Sequence, residues 1–367
     1  TDTLVVNGLS EAEEGFYSLA IFNDAGSVIS SRAKLSMVSS GAKMSDDLVV
    51  HLKLDETSGT TASNSGSGTD TATIYDDYGE PNEEPVGADG LIGNAILVNG
   101  ADSETYAFGV LDNYPKIKDN GTVSLWLNTP GIDGESAVVV RNGSAINIQT
   151  ENQFQITISN NIDGEPILGC QISAGPNVIN VVDTEALAFD EWVHVALTVD
   201  GGQLRLYKNG KLIGVTDYLD RINGSTEDWL AIGANLTLVQ EEGEDPYFAM
   251  DEANPQAFSG SIDDLALWHT ARSAADIESI YEKGIAGSDV TKASVTIPDF
   301  VEPGEIVEPD APTISLVRNG DGTVTVTYTG TLQSAATANG PWEDVAGATS
   351  PLTVAADAPA TFARSRN

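Results

Sequence analysis

The chain of 367 residues carries 17 Lys and Arg against 55 Asp and Glu, a net charge of −38, with 41% apolar and 20% charged residues. That length and apolar share suffice for two or three cores. The charge repels phosphate backbones and anionic lipid surfaces, and so argues against nucleic acid and membrane-surface partners. No apolar run reaches the roughly 18 residues of a helical membrane span, so no membrane insertion is expected. The start has neither Met nor a signal-like apolar stretch, as in a processed product or an excised piece. Cys170 is single, so no internal disulfide can form, and its neighbours Ile167 and Leu168 make it a buried structural thiol.

In chain order, residues 1–38 come first. Two strands, Phe16 to Phe22 and Val28 to Leu35, are joined at Asn23-Asp24-Ala25-Gly26 as a hairpin. Residues 47–287 follow, a long series of short strands separated by Gly, Asn, Asp and Pro, the pattern of an antiparallel jelly-roll sandwich. Within it, residues 191–214 read as strand, turn, strand, Asn-Gly turn, strand. Asn209-Gly210 suits a type I′ hairpin, because both central residues need positive φ. One face of this meander is expected in the core with Trp192 as its anchor, and the other is expected to meet water or a partner. Trp126 and Trp268 also read as core. Residues 273–283 form a helix with Ser273 as N-cap, a face of Ile277, Ile280 and Tyr281, and Gly284 as its stop. Residues 288–311, with four prolines and spaced acids, read as an extended linker, and residues 312–367 as a small β-sandwich-like module. The fold class is therefore all-β and multidomain.

The words Leu54-Asp55-Glu56, Ser58-Gly59, Gly93-Asn94-Ala95, Trp126, Trp192-Val193-His194-Val195, Tyr207-Lys208-Asn209-Gly210 and Gly260-Ser261-Ile262-Asp263-Asp264 together resemble a laminin G-like, concanavalin A-type jelly-roll domain, a class also similar to pentraxins. Gly15-Phe16-Tyr17 with Asn23 and Gly26 resembles the last strands of an immunoglobulin-like domain, which needs about 100 residues and is incomplete here. Leu332-Gln333-Ser334, Gly340-Pro341-Trp342 and Phe362-Ala363-Arg364 resemble compact C-terminal modules of large secreted bacterial proteins. The central resemblance implies a fold that serves lectins, adhesins, calcium-dependent receptors and glycosidases.

Calcium takes six to eight hard oxygens, which loops at one rim of a jelly roll can supply. The resemblance implies that the first and last strands lie side by side, which would bring Asp55 and Glu56 to Asp263 and Asp264 as ligands of a structural Ca²⁺. The alternative is that the last two cap turns or face water. Two acidic loops, residues 75–89 and 240–256, place Asp77, Glu242, Asp245 and Tyr247 as ligand contacts, or else are solvated loops. A sugar face stacks on an exposed ring beside hydrogen-bonding groups, and Tyr106, Tyr218, Trp229 and Tyr247 are the candidate rings. Concanavalin A-like hydrolases carry paired acids as Glu-x-Asp-x-Glu on one strand, and no such word is present. His51, His194 and His269 lie in or beside strands, no Gly-x-Ser-x-Gly elbow occurs, and Cys170 has no basic neighbour. No catalytic residue is assigned.

The expected function is non-catalytic adhesion or recognition, outside the cell or on its surface, with the jelly roll binding glycan or protein and calcium assisting. The alternative is a structural subunit of an extracellular fibre or surface layer, self-associating through residues 1–38 by strand complementation. A glycoside hydrolase is the third reading.

Overall fold

The computed structural model describes residues 15–18, 20–23, 26–29, 33–35, 42–76, 79–81, 87–99, 108–132, 134–143, 153–243, 245–296, 313–337, 341–355 and 362–366. They fall in two compact units divided between residues 297 and 298.

Two eight-stranded antiparallel sheets make the sandwich of the first unit. One runs Lys211–Asp217, Gln203–Lys208, Val193–Val199, Gly121–Asn128, Ser259–Trp268, Asn94–Asn99, Gly87–Asp89, with Leu48–Leu52 also paired to Ser259–Trp268. The other runs Asn177–Val182, Pro166–Ala174, Phe154–Asn160, Ser136–Asn142, Leu230–Ile232, Phe108–Leu111, Ala72–Tyr75, Thr61–Ala62. Alternate residues such as Phe154, Ile156 and Ile158, facing Val195, Leu197 and Val199, fill one core between the sheets. Period-two alternation puts them on one face of each strand. The first and last strands are neighbours, with Leu52 opposite Leu265, as in a jelly-roll-type sandwich.

The meander closes as expected, with Asn209 at φ 51° and Gly210 at φ 77°. Its second face, however, does not meet water. His194, Ala196 and Thr198 are fully buried, because helix α1 (Ala274–Ile285) lies over this sheet and packs Ile277 and Ile280 against Ala196, Tyr207 and Trp268. Each isoleucine so buried contributes roughly 1.5–3 kcal/mol. Trp192 stands one residue ahead of its strand and is only half-buried, so Trp126 and Trp268 anchor the core instead.

Ser273 caps α1 in a capping box with Asp276. Gly284 does not stop it: the helix continues to Ile285, and a Cβ at 284 would lie 2.4 Å from Trp126 Cζ2. Close helix-to-sheet approach, not termination, is what this glycine serves. The stop comes at Gly287, φ 74°, where the Gly287 and Ser288 N–H groups donate to the carbonyls of Gly284 and Lys283 in a Schellman motif.

Residues 288–296, expected as linker, belong to this unit. Asp289 caps a 3-10 turn, Val290–Lys292, and Val290 packs under α1. Met44, ahead of the expected boundary, is likewise buried, and its carbonyl accepts from Trp268 Nε1 at 2.7 Å. On the outer face of the second sheet, the hairpin of Leu236–Val239 and Tyr247–Met250 lays Leu236 and Phe248 over Phe108, Val110 and Trp229.

Toward the N-terminus, Gly15–Tyr17 pairs with Ala33–Leu35 and Ala20–Asn23 with Gly26–Ile29, one hairpin whose register slips by a residue between the two ladders. Among the described residues it pairs with no other strand. The second unit holds two three-stranded sheets around Val326, Tyr328 and Leu332, with the Arg364 guanidinium 4.5 Å above the Trp342 ring.

Candidate functional site

Pairing of the first and last strands brings Asp55, Asp263 and Asp264 to one rim. A register shift in Ser259–Trp268 against Gly121–Asn128 falls at Asp264 and Leu265, and Asp264 takes φ 48°. Such a bulge re-aims side chains that would otherwise point to opposite faces. Asp263 and Asp264 are 0% and 1% exposed, so neither caps a surface turn nor faces water.

Each acid accepts hydrogen bonds from elsewhere in the chain. Asp263 Oδ2 accepts from Ile92 N–H at 2.8 Å. Asp55 Oδ1 accepts from Asn94 N–H at 2.8 Å, and Asn94 Nδ2 returns a bond to the Asp55 carbonyl at 3.0 Å. Asp264 Oδ2 accepts from Val290 N–H at 3.0 Å, and its Oδ1 lies 2.6 Å from His51 Nε2. Glu56 Oε1 accepts from Ser63 N–H at 2.7 Å. The turn at residues 90–94 fits beneath these carboxylates only as glycine. A Cβ at Gly93, φ 77°, would lie 2.2 Å from Asp55 Oδ1, and one at Gly90 would lie 2.9 Å from Asp263 Oδ2. Among the described residues, the carboxylate oxygens Asp263 Oδ1 and Glu56 Oε2 are buried and meet no donor.

Burial, with Asp264 and Asp55 nearby and the Ile92 N–H opposing, pushes the Asp263 carboxyl up to about 7. Beside it a cleft of ≈ 330 Å³ is lined by Lys53, Asp55, Gly93, Asp264 and Asp289. Burial works to raise Asp289, but the Lys53 ammonium at 2.7 Å and the Thr291 hydroxyl outweigh it and hold that carboxyl down at about 2.

The rim also contains an Asp–His–Ser chain that the sequence reading did not find. His51, fully buried, places Nε2 on Asp264 and Nδ1 2.8 Å from the hydroxyl of exposed Ser65. A hydrolytic triad needs free N–H donors aimed at the developing oxyanion. Here the N–H groups of Ser65, Gly66, Ser67 and Gly68 all donate within the chain, to His51 O, Asn64 Oδ1, Leu48 O and Val49 O. The Ser65 hydroxyl is also 3.1 Å from the His51 carbonyl. The chain of bonds clamps the loop after the first strand to the last strand. A second pair, Ser124 Oγ and His194 Nε2 at 2.9 Å, is sealed in the core. Burial pulls His194 down to about 3 and pushes the Cys170 thiol well above its usual range.

Of the expected ligand contacts, Asp77 and Tyr106 lie outside the described residues. Tyr218 and Trp229 are corrected as sugar platforms: they are 3% and 4% exposed. The Tyr218 hydroxyl accepts from Gly201 N–H, and Trp229 Nε1 donates to Glu227 Oε2. Both rings stand just outside strands, at the end of Lys211–Asp217 and the start of Leu230–Ile232; Tyr218 packs into the core between the sheets, and Trp229 lies under the hairpin that carries Phe248. Tyr247 is 37% exposed, its hydroxyl 3.3 Å from Glu241 Oε1, and Glu242 and Asp245 are exposed in the same hairpin's turn. The two acidic loops meet, since a Cβ at Gly79 would fall 2.5 Å from the Phe248 carbonyl.

A family model, Laminin_G_3, described as the concanavalin A-like lectin/glucanases superfamily, matches residues 103–278. No curated protein matches the chain. Among solved structures it is similar to domain 4 of AbnA, a GH43 extracellular arabinanase from Geobacillus stearothermophilus, in complex with arabinotriose: 20% identity, 63% of this chain, 97% of that one, TM-score 0.43. It is similar to the receptor binding domain of botulinum neurotoxin D at 14% identity and TM-score 0.44, over 65% of this chain and 53% of that one, about half its length. It is also similar to a heptameric SAP-like pentraxin from Limulus polyphemus at 16% identity and TM-score 0.36, over 54% of this chain and 88% of that one. The central jelly roll thus matches the model of the concanavalin A-like superfamily over residues 103–278, and other β-sheet regions flank it.

Proposed function

We propose that the central domain is a non-catalytic recognition module of an extracellular or cell-surface protein and binds a glycan or protein surface. One observation carries this reading: Asp264 and the His51 imidazole at the rim are each bonded within the chain through both of their polar side-chain atoms, and Asp55 and Asp263 each accept from a backbone N–H. General acid–base work needs a titratable pair free to meet substrate, and a recognition fold does not. The lectin side of the superfamily description fits this better than the glucanase side. The test is to pass the whole chain over immobilised glycans and matrix proteins while assaying the glycans for new reducing ends. Saturable binding without cleavage is expected, and cleavage at any turnover rate would overturn the reading.

Calcium belongs to the proposal. Asp263 Oδ1 and Glu56 Oε2, buried carboxylate oxygens without donors, are hard anionic ligands of the kind calcium takes. Among the described residues no group of three or more acid, His or Cys side chains could hold a metal, so no more than two of Asp55, Glu56, Asp263 and Asp264 would share one ion in this arrangement, and backbone carbonyls or water would supply the rest of the shell. A calcium-dependent rise in the unfolding midpoint, reversed by chelator and absent in Asp263→Ala, is the expected result. No shift would leave the rim metal-free.

The fibre reading is favoured by one feature, the N-terminal hairpin that pairs with no other described strand. Such a hairpin is marginal alone and offers strand edges to another chain. We read it as the closing strands of an immunoglobulin-like domain, and residues 312–367 as a terminal module of secreted proteins, on the residues quoted above.

A further inference from the structure

Away from the acidic rim, a second cleft of ≈ 360 Å³ lies between the segment that follows Phe108–Leu111 and the turn after Lys211–Asp217. Lys116, Lys118 and Arg221 line it, with Asp119 as the single acid and Ile117 and Ile222 as apolar floor. The whole chain has only 17 basic residues against 55 acidic ones. Three of the 17 line this one small cleft.

Their commitments differ. Lys116 is occupied: Nζ donates to the Ser225 carbonyl at 2.8 Å and pairs with Asp228. Lys118 is exposed and has no hydrogen bond or ion pair among the described residues. The Arg221 side chain is 80% exposed, and Asp119 Oδ2 stands 3.7 Å from its Nη1, too far for a hydrogen bond. Two cationic heads therefore retain donors for a ligand. The floor beneath them is rigid, because Gln153 ties Ile117 and Asn223 together through Nε2 bonds of 2.8 and 2.6 Å to their carbonyls.

We propose that this cleft binds a sugar unit bearing one anionic group, a carboxylate or a sulfate ester. Lys118 and Arg221 would hold the anion, and the ring would sit in the cleft beside them, above the buried Ile117 and Ile222. An extended polyanion fits less well, because the net charge of −38 repels it, whereas a single anion within a Debye length of about 8 Å feels mainly the local cations. The proposal deepens the recognition reading given above and rests on it.

The test uses the full chain at low salt, titrated with glucuronic acid, glucose 6-sulfate and, as neutral control, glucose, by calorimetry or ligand-observed NMR. Either or both anionic sugars should bind saturably and glucose should not; which anion binds tighter separates carboxylate from sulfate. Removing both exposed heads, in Lys118→Ala/Arg221→Ala, should weaken binding about tenfold or more, the scale of two charge-assisted hydrogen bonds. Added salt should weaken it too. Equal binding of glucose, unchanged binding by the double variant, or no binding of either anion would overturn the proposal. If neutral glycans bind elsewhere on the chain while these probes fail, the inference falls and the recognition function stands. If no glycan or protein binds at all, both fall.

Discussion

Asp263→Asn probes the rim most directly. The carboxyl is fully buried and pushed up to about 7, chiefly by that burial, whereas in the unfolded chain it titrates near 3.9. Between those values the folded state keeps a proton that the unfolded state has released, so folding loses stability as pH rises from about 4 to about 7. Roughly three units at 1.36 kcal/mol each amount to about 4 kcal/mol at most. Asparagine retains an oxygen for the Ile92 N–H and cannot ionise. His194, pulled down to about 3, acts in the opposite sense, since stability falls below about pH 6.5 as the unfolded imidazole takes up a proton. Both proteins share that contribution, so only the difference between them isolates Asp263. Urea unfolding of both, with chelator present, from about pH 5 to about pH 8 measures it. The variant should gain on the native chain with rising pH, toward a few kcal/mol above pH 7. A difference that does not change with pH would refute the assignment of a buried, protonated carboxyl at this position.

Gly93→Ala meets both a left-handed backbone and Asp55 Oδ1 at 2.2 Å, while Gly59→Ala, φ 88°, meets nothing within 4 Å. The first should lose about 2–3 kcal/mol and the second about 1 in denaturant unfolding, and equal losses would deny the Asp55 contact any role. Gly284→Ala gains up to about 1 kcal/mol of helix propensity but drives a methyl into Trp126, so a net loss of about 1–2 kcal/mol with altered tryptophan emission is expected; stabilisation would contradict the packing. Deleting residues 1–38 should leave the central unit folded and abolish any end-to-end association seen by light scattering. Assembly that survives the deletion would exclude strand pairing through that segment.

Local chemistry was legible throughout the chain. Asn209-Gly210 suited a hairpin of the type found, Ser273 marked the start of α1, and alternation in Val193 to Val199 marked a strand. The same alternation could not tell that α1 would cover its second face, so His194 and Thr198 were read as outward. Trp229 and Tyr218 were read as candidate platforms, and their burial depends on distant elements that no local pattern shows. The glycines of Gly90-Leu91-Ile92-Gly93 were a usable signal of close approach, but not of the carboxylates they approach.

What the sequence by itself determined was the class of fold, since period-two patterning and turn residues act over a few positions and need no partner. Tertiary structure alone decided the site. His51 and Asp264 are 213 positions apart, the bulge that turns Asp264 inward arises from pairing with Gly121–Asn128, and Lys118 and Arg221 share a cleft only because two distant loops meet at one end of the sandwich. Side-chain charge is written at each position, but whether a charge is buried, paired or free depends on long-range strand pairing, which determines its neighbours and the water it retains.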